Sequence, residues 1–407
     1  MSLVKAKYLQ VSIVIFIALS IFFNIRSYTF SSESSQSSSS YSSSIDHFPS
    51  TITNQPHSSD NSLTQEEIIN KYSSIQYQSL STSKVNGCFV TLARNSDLWG
   101  LVDSIRSVQD RFNNKFNYDW IFFNDEEFTD EFKEVTSSLI SGKTKYGKIP
   151  KEHWSFPENL DLNKAAKARE DLSNLGVIYA ESVSYRHMCR FESGFFYKHP
   201  MLADYDWYWR VEPDIQFFCD INYDLFRYMA DNNKVYGFAI SIHEFEATIS
   251  SLWGETKKFL SDNPQYIAKD NLLDFISDDG GATYNLCHFW SNFEIVNLSF
   301  FRSEAYEAYF QHLDATNNFF YERWGDAPIH SIAASLFLKK DEIHMFNDVG
   351  YSHSVYQNCP IDNDFRLSHS CACNPDNDFT FKGYSCSGKY FDVQGLKKPN
   401  NWEKYSD

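Results

Sequence analysis

Residues 88–123 read CFVTLARNSDLWGLVDSIRSVQDRFNNKFNYDWIFF, and this stretch decides the fold class. It opens with a short apolar run of strand type, residues 88–92, and closes with another, residues 118–123. Between the two runs, apolar residues recur at helical spacing: Leu98, Leu101, Val102, Ile105, Val108 and Phe112. A strand, a helix and a strand joined by short links predict a βαβ unit and a parallel sheet.

Further strand-like runs follow along the chain, with helical patterns between several of them. They lie at residues 177–180, 207–211, 235–240, 293–296 and 343–346. The predicted class is α/β, with one Rossmann-like sheet, helices on both of its faces and an additional antiparallel sheet. Ligands of such sheets bind at the carboxyl ends of the strands, so we look for site residues there.

The chain begins with an apolar segment that is long enough to enter a membrane. Residues 8–25 lie near the lower limit of a spanning helix, which is about 17–25 residues. Lys5 and Lys7 precede the segment, and the more basic flank stays in the cytosol. Bulky residues at 21–25 offer no small-x-small cleavage site, which favours an uncleaved signal anchor over a cleaved signal peptide. Residues 1–7 are then a cytosolic tail.

Composition changes abruptly after the apolar segment. Residues 26–83 include the run SSESSQSSSSYSSS, which cannot bury enough apolar surface to fold and predicts a Ser-rich luminal stem. Residues 84–407 are predicted to form the luminal domain and contain all eight Cys, an even number that favours disulfides. The alternative is a zinc site at His369, Cys371 and Cys373, a weak signal because no second matched pair follows.

Composition and charge exclude several classes of protein. The 407 residues are 42% hydrophobic and 17% aromatic, enough for a large core and for stacking surfaces. The net charge is −17, almost all of it on residues 84–407, whereas binding to a phosphate backbone relies on Lys and Arg. We therefore expect no nucleic-acid partner. An acidic domain that handles an anionic substrate would need a cation to help.

Residues 205–220, YDWYWRVEPDIQFFCD, combine an aromatic strand with a pair of acids. Glu212 and Asp214 follow the strand directly, where two carboxylates can reach one hard cation such as Mg²⁺ or Mn²⁺. Pro213 restricts Glu212 to an extended conformation, which predicts a rigid pair. The alternative is a solvated turn, because acid-x-acid pairs are common.

Residues 184–197, SYRHMCRFESGFFY, predict a helix that carries two arginines on one face. Arg186 and Arg190 could clamp a diphosphate, because guanidinium geometry matches phosphate oxygens. The alternative is a surface pair of arginines bridged to Glu181 or Glu192.

Three further candidates lie in the C-terminal half. Glu294 begins an apolar strand after CHFWSNF, whose aromatic and polar groups suit a sugar site, although a lone Glu there is more often a structural acceptor. Asp326 precedes Pro328 where a helix N-cap is expected, so capping alone could account for it. His353 follows a short strand in a loop of small residues. It could serve there as a ligand, as a general base or as part of a hydrogen-bonded scaffold.

Five segments together resemble one family. In this order, YRHMCRFESGFF, WRVEPDIQFFCD, CHFWSNFEI, RWGDAPIHS and YSHSVYQNCP closely resemble the fungal Golgi α-1,2-mannosyltransferases of glycosyltransferase family 15. The resemblance covers roughly residues 84–390, and the stalked signal anchor matches as well. It implies a GT-A-type nucleotide-sugar fold and transfer of mannose from GDP-mannose, with retention, in a Mn²⁺-dependent reaction.

Carried over position by position, the resemblance implies roles for five residues. Glu212 matches the acid that contacts the metal, and His353 matches the second metal ligand. Tyr185 matches a tyrosine that lines the donor site, and Glu294 matches the residue proposed as nucleophile. Asp326 falls in a cleft motif of the family.

We therefore expect a type II Golgi membrane enzyme that extends mannose chains on O-linked or N-linked glycans of glycoproteins. Arg94, Arg186 and Arg190 are candidate contacts to phosphate or guanine, and Asp214 is a further candidate in the donor site. Retention could proceed by two displacements through Glu294, or by return on the same face with Glu294 stabilising positive charge. The rival enzyme is a mannosyl-phosphate transferase that uses the same donor. The rival of another class is a catalytically silent glycan-binding protein of the cell wall.

Overall fold

The computed structural model of the chain describes residues 83–406. The predicted cytosolic tail, the anchor at residues 8–25 and nearly all of the predicted stem lie outside the described residues. Among the helices that are described, none combines the length and the apolar character needed to cross a membrane.

Twelve strands form three sheets within residues 83–406. They are β1 Gly87–Leu92, β2 Asp119–Asn124, β3 Thr144–Lys148, β4 Trp207–Arg210, β5 Ile215–Phe217, β6 Tyr236–Phe238, β7 Ser241–His243, β8 Cys287–Phe289, β9 Glu294–Asn297, β10 Ile343–Met345, β11 Tyr351–His353 and β12 Tyr356–Asn358. The central sheet has the order β10-β6-β9-β4-β1-β2-β3, and only β9 runs antiparallel to its neighbours. The predicted βαβ unit is confirmed, because β1 and β2 pair in parallel.

Fourteen α-helices connect and cover these strands in the described part of the chain. They are α1 Leu98–Val108, α2 Asn114–Phe116, α3 Asp130–Leu139, α4 Leu162–Asn174, α5 Val183–Gly194, α6 Leu225–Asp231, α7 Leu252–Asp262, α8 Leu273–Ile276, α9 Leu298–Phe301, α10 Glu304–Asp314, α11 Asn318–Tyr321, α12 Asp326–Phe337, α13 Asn363–Ser368 and α14 Ser387–Gln394. A single π-helical turn, Gln109–Asn113, extends α1 past Phe112, the last residue of the predicted helical spacing.

The central sheet separates two cores. In β1, Phe89 packs into one core while its neighbours Cys88 and Val90 pack into the other, because successive side chains of a strand point to opposite faces. Helices α1, α3 and α6 cover the first core, and α5, α7, α10 and α12 cover the second. Burying a side chain such as Phe89 contributes about 1.5–3 kcal/mol. The α/β prediction with helices on both faces is therefore confirmed.

Two small antiparallel sheets stand beside the central one, whereas the sequence predicted one. One has the order β12-β11-β5, and the other pairs β7 with β8. Since β5 follows β4 after only a short turn, the three-stranded sheet begins at the carboxyl edge of the central sheet. It is this sheet that carries the C-terminal part of the chain back to that edge.

The strand predicted at residues 177–180 is wrong. This segment is a turn, in which Tyr179 has a left-handed φ of 59° and is 62% exposed, as is Ile178 at 64%. No strand of the described chain pairs with it, and Ser182, two residues after the segment, caps α5. An apolar run of four residues without a partner strand cannot satisfy its backbone groups as a strand does.

Cysteine pairing follows the disulfide prediction and not the zinc alternative. The bonds join Cys219 to Cys371, Cys287 to Cys386 and Cys359 to Cys373, while Cys88 and Cys189 are buried free thiols. His243 lies 3.5 Å from the sulfur of Cys287, but both sulfurs beside it are joined in a disulfide and are not thiolate ligands.

Candidate functional site

Four charged side chains meet at the carboxyl end of β4, and we call them the Arg210 cluster: Arg210, Glu212, Asp326 and Glu192. Arg210 ends β4 and is buried. Its guanidinium donates to Asp326 at 2.6 Å and pairs with Glu212 at 2.5 Å, and Glu192 lies 3.9 Å away. Burial lowers the pKa of Arg210, but the carboxylates of Glu212, Asp326 and Glu192 raise it more, so it ends well above its usual value.

Two acids of the cluster have pKa values that move in opposite directions. Burial raises the pKa of Asp326, but Arg210 and His330 lower it more, and the net shift is downward. Ser291 also donates to Asp326 at 2.7 Å. Burial raises the pKa of Glu192 to about 7, because Arg210 offsets only part of that effect. The cluster therefore holds one firmly ionised acid and one that titrates near neutral pH.

Glu212 and His353 face one another in front of the cluster. The pairing of β11 with β5 places His353 opposite Ile215, three residues after Glu212. This register brings Oε2 of Glu212 to 3.7 Å from Nε2 of His353. Their side chains are 26% and 22% exposed, whereas that of Arg210 is only 7% exposed. The pair is therefore the part of the site that solvent and ligands can reach.

The imidazole of His353 is held by three neighbouring side chains. The amide nitrogen of Asn292 lies 3.3 Å from its Nδ1, and the hydroxyl of Tyr351 donates to Oδ1 of Asn292 at 2.8 Å. The ring of Trp290 packs edge to face at 5.2 Å. These contacts fix the ring so that Nε2 points to Glu212.

The Glu212–His353 pair fits a divalent transition-metal ion. A carboxylate oxygen suits Mn²⁺ as well as Mg²⁺, and an imidazole nitrogen favours the transition metal. Arg210 pairs with Oε1 of Glu212 and leaves Oε2 facing His353. Because both ligands are partly exposed, oxygen atoms of a substrate or of water can complete the coordination.

A second group of predicted residues joins the end of β1 to the start of α5. Arg94, just beyond β1, donates to the hydroxyl of Ser184 at 2.5 Å. Tyr185 lies in the first turn of α5, after the N-cap Ser182. The ring of Tyr179 stacks on Tyr185 with centroids 4.9 Å apart and an angle of 12°. Arg94 therefore contacts the residue that precedes Tyr185 in α5.

The expected diphosphate clamp of Arg186 and Arg190 differs from what the structure shows. Arg186 is fully buried and donates to the carbonyl of Ala180 at 2.6 Å. Arg190 donates twice to Asp314, at 2.6 and 2.8 Å. Neither alternative, an open clamp or a pair on the surface, describes two buried arginines with separate partners.

Asp214 and Asp326 also differ from their expected arrangement. Asp214 has a left-handed φ of 62°, which directs its carboxylate to Gly100 in α1, whereas Glu212 faces His353. The expected rigid pair of carboxylates on one cation is therefore not formed. Asp326 is the first residue of α12 after the N-cap Gly325, and its side chain serves Arg210 and caps nothing.

Glu294 lies deeper than is expected of a residue that faces a sugar. Its side chain is fully buried at the start of β9. Tyr208 and Tyr236 donate to its two oxygens, the latter at 2.6 Å, and Nδ1 of His330 lies 3.1 Å away. Burial lowers the pKa of His330, but Glu294 raises it more. In this arrangement, buried protein groups surround the carboxyl group that was expected to face a sugar.

Sequence reasoning missed several residues that shape the site. Arg210 was overlooked although it ends a strand of aromatic residues, where a charge must find a partner. Glu192 was considered only as a surface partner for arginine, yet it is 2% exposed. Asn292 and Ser291 were visible in the motif SNFE, but nothing in the sequence shows which side chains they meet.

Comparison with known proteins places the chain among mannosyltransferases. The sequence model of the family described as glycolipid 2-alpha-mannosyltransferase matches residues 37–395. Glycolipid 2-alpha-mannosyltransferase 2 of Candida albicans is 68% identical over 79% of this chain and 70% of its own length. Alpha-1,2 mannosyltransferase KTR1 of Saccharomyces cerevisiae is 58% identical over 82% of this chain and 85% of its own length.

Solved structures share the fold as well. Core-mannan synthase A of Aspergillus fumigatus, in a Mn/GDP form, is 41% identical and superposes with a TM-score of 0.72 over 79% of this chain and 88% of that one. The mannosyltransferase Ktr4p of S. cerevisiae, in complex with GDP, is 34% identical with the same TM-score, over 84% and 94% of the two chains.

Proposed function

Because the chain belongs to the glycolipid 2-alpha-mannosyltransferase family, we propose that it transfers mannose from GDP-mannose to mannose-terminated glycans, forming α-1,2 linkages. The observation that carries the proposal is the Glu212–His353 pair, a mixed oxygen and nitrogen donor set at the carboxyl end of β4. It lies where ligands of such sheets bind. A similar protein of the same fold, core-mannan synthase A, has a form with Mn and GDP.

Glu212 and His353 would hold Mn²⁺, which supplies a positive charge to the diphosphate as GDP departs. Arg210 pairs with Glu212 and orients it, and Asn292 orients His353. Asp326 binds the opposite side of the Arg210 guanidinium and so fixes that residue in turn. These contacts preorganise the two ligands before any substrate arrives, which reduces the cost of ordering them during the reaction.

For the stereochemistry, the burial of Glu294 favours return on the same face over two displacements. A double displacement needs a carboxylate with an open path to the anomeric carbon. The bond from that carbon to the phosphate oxygen would instead break with its electron pair on the phosphate. The acceptor hydroxyl would then bond to the carbon from the same side, and its proton would pass to a phosphate oxygen of the departing GDP.

The membrane topology belongs to the same proposal. We place residues 8–25 in the Golgi membrane as a signal anchor and residues 84–407 in the lumen, with the acceptors on O-linked or N-linked glycans of glycoproteins. Support comes from the basic flank of the apolar segment and from three disulfides, which form in oxidising compartments.

One experiment tests the proposed activity against its rivals. The full chain in mild detergent is given GDP-mannose, Mn²⁺ and a panel of mannosides, and the product is analysed by mass and NMR. We expect one added hexose in an α-1,2 linkage. An added mannosyl phosphate would identify the phosphate transferase, and binding of mannosides without any product would identify the silent binding protein.

A further inference from the structure

Arg323 is a buried arginine whose side chain has no polar partner in residues 83–406. It is 6% exposed, and its Nε is shielded from solvent without a hydrogen-bond acceptor. No carboxylate of the described residues lies within 4.0 Å of its guanidinium, in contrast to Arg190 and Arg210. Its contact is instead with the ring of Tyr185, whose centroid is 5.0 Å from the guanidinium carbon.

The acid next to Arg323 in the sequence does not compensate its charge. The carboxylate of Glu322 accepts from the indole of Trp324 at 2.7 Å and from the backbone of Ser251 at 3.2 Å. The backbone N–H of Arg323 donates to the carbonyl of Thr248 at 3.1 Å, which ties this residue to the segment before α7. The guanidinium is therefore held in place by the backbone and by Tyr185, while its charge stays unpaired.

A second arginine of the same kind lies nearby. Arg186 is fully buried, it donates only to backbone carbonyls, and its Nη2 has no partner. One of those carbonyls belongs to Glu322, directly before Arg323. Burial, together with the charges of Arg169 and Arg323, lowers the pKa of Arg186 to about 10. Arg186 and Arg323 are thus two buried guanidinium groups that repel one another, and each has a nitrogen without a hydrogen-bond acceptor.

Burying a cation without an anion costs several kcal/mol, so such groups normally pair with a carboxylate or with a bound anion. Arg323 lies three residues before Asp326, a member of the Arg210 cluster. Burial raises the pKa of the Tyr185 phenol well above its usual value, and the charges of both residues affect it: Arg323 lowers it and Asp326 raises it. Tyr185, which Arg323 contacts, follows Ser184 in the sequence, and Ser184 accepts a hydrogen bond from Arg94. A guanidinium offers several donors in a planar fork, which fits phosphate oxygens well.

We propose that Arg323, lying over the ring of Tyr185, binds the phosphate oxygens of the nucleoside diphosphate. The inference rests on the proposed function and deepens it by assigning the phosphate cation that the sequence had placed at Arg186 and Arg190. Tyr185 then serves as the apolar support that keeps the guanidinium in position, and Arg186 fixes the turn beneath it.

The test measures ligand binding and not only activity. The full chain in mild detergent is prepared as the wild type, Arg323→Met, Arg323→Lys and a control, Arg106→Met. The control removes an exposed arginine of α1 that pairs with Asp110. Affinities for GDP and for inorganic pyrophosphate, each with Mn²⁺, are measured by calorimetry. The affinity for Mn²⁺ alone is measured by electron paramagnetic resonance.

We expect Arg323→Met to lower the affinities for GDP and for pyrophosphate at least tenfold, while its affinity for Mn²⁺ alone stays within twofold of the wild type. The affinities of Arg323→Lys for both ligands should lie between those of Arg323→Met and the wild type, and those of Arg106→Met should equal the wild-type values. Without ligand, Arg323→Met should melt no lower than the wild type, since it removes an unpaired buried charge; a lower melting temperature would contradict the assignment.

Two further outcomes separate this inference from the proposed function. A folded Arg323→Met protein that binds GDP and pyrophosphate as tightly as the wild type would overturn the inference and leave the proposed function standing. A wild-type protein that binds pyrophosphate through Arg323 but shows no affinity for GDP would support the anion site and refute the proposed donor. Binding of neither ligand by the wild type would refute both.

Discussion

Replacing Glu294 by Gln tests whether this carboxyl group acts on the sugar or on the protein. In the structure Glu294 is fully buried and accepts hydrogen bonds from Tyr208 and Tyr236, with His330 at 3.1 Å. A hydrogen bond to a charged group is worth about 1 kcal/mol more than one between neutral groups. Because Glu294→Gln removes this advantage at three contacts, it should lower the free energy of unfolding by about 3 kcal/mol. For a domain of this size the loss corresponds to a melting temperature lower by about 4 °C.

The same substitution should have a modest effect on turnover if the carboxyl group only positions its neighbours. We expect kcat of the folded protein to fall less than about tenfold, with GDP affinity nearly unchanged. Tyr236→Phe is the matched control, because it removes one hydrogen bond to Glu294 and keeps the carboxyl group; it should lose about 1–2 kcal/mol and retain kcat.

Melting temperature, GDP affinity and kcat are measured on the same preparation of each variant. A Glu294→Gln protein of normal melting temperature whose kcat is lower by about 10³, or about 4 kcal/mol, would refute the positioning role. That result would restore Glu294 as the nucleophile of a double displacement.

Two further predictions concern Glu192 and the topology. The pKa of Glu192 is about 7 in the folded protein, against an ordinary value of 4.5. Between pH 4.5 and pH 7 the folded state therefore binds more protons than the unfolded state, and the protein loses up to about 3 kcal/mol of stability as the pH rises through this range. Urea unfolding at pH 5 and pH 8 should show a smaller pH dependence for Glu192→Gln than for the wild type, and equal dependence would refute the assignment. In intact Golgi vesicles, residues 84–407 should resist added protease until detergent is present; digestion without detergent would place the domain on the cytosolic side.

The sequence predicts the central fold well because its evidence is local and periodic. The apolar runs at 88–92 and 118–123 and the helical spacing between them are set by neighbouring residues, and they reappear as β1, α1 and β2. The run at 177–180 shows the limit of this evidence. Its four residues look like a strand, but whether a strand forms depends on a partner elsewhere in the chain.

The site is predictable in its residue types and not in its contacts. Glu212 and His353 are 141 positions apart, and only the register of β5 and β11 brings them to 3.7 Å. Arg186 and Arg190 share a helix face as predicted, yet their partners Ala180 and Asp314 come from other parts of the fold. A helical pattern specifies which side chains are neighbours on the helix, but the opposing surface decides what each one binds.

The most direct test of the central claim is Mn²⁺-dependent binding of GDP by the wild type, Glu212→Ala and His353→Ala. The structure pairs these two side chains at 3.7 Å in the accessible part of the site, and neither is needed for the core. His353→Ala should keep the wild-type melting temperature, whereas Glu212→Ala should fold but melt lower, because it takes one carboxylate from the buried Arg210. Each variant should lose at least tenfold in Mn²⁺-dependent affinity, about 1.4 kcal/mol. Two folded variants that bind GDP with unchanged Mn²⁺ dependence would contradict the claim that Glu212 and His353 hold the metal.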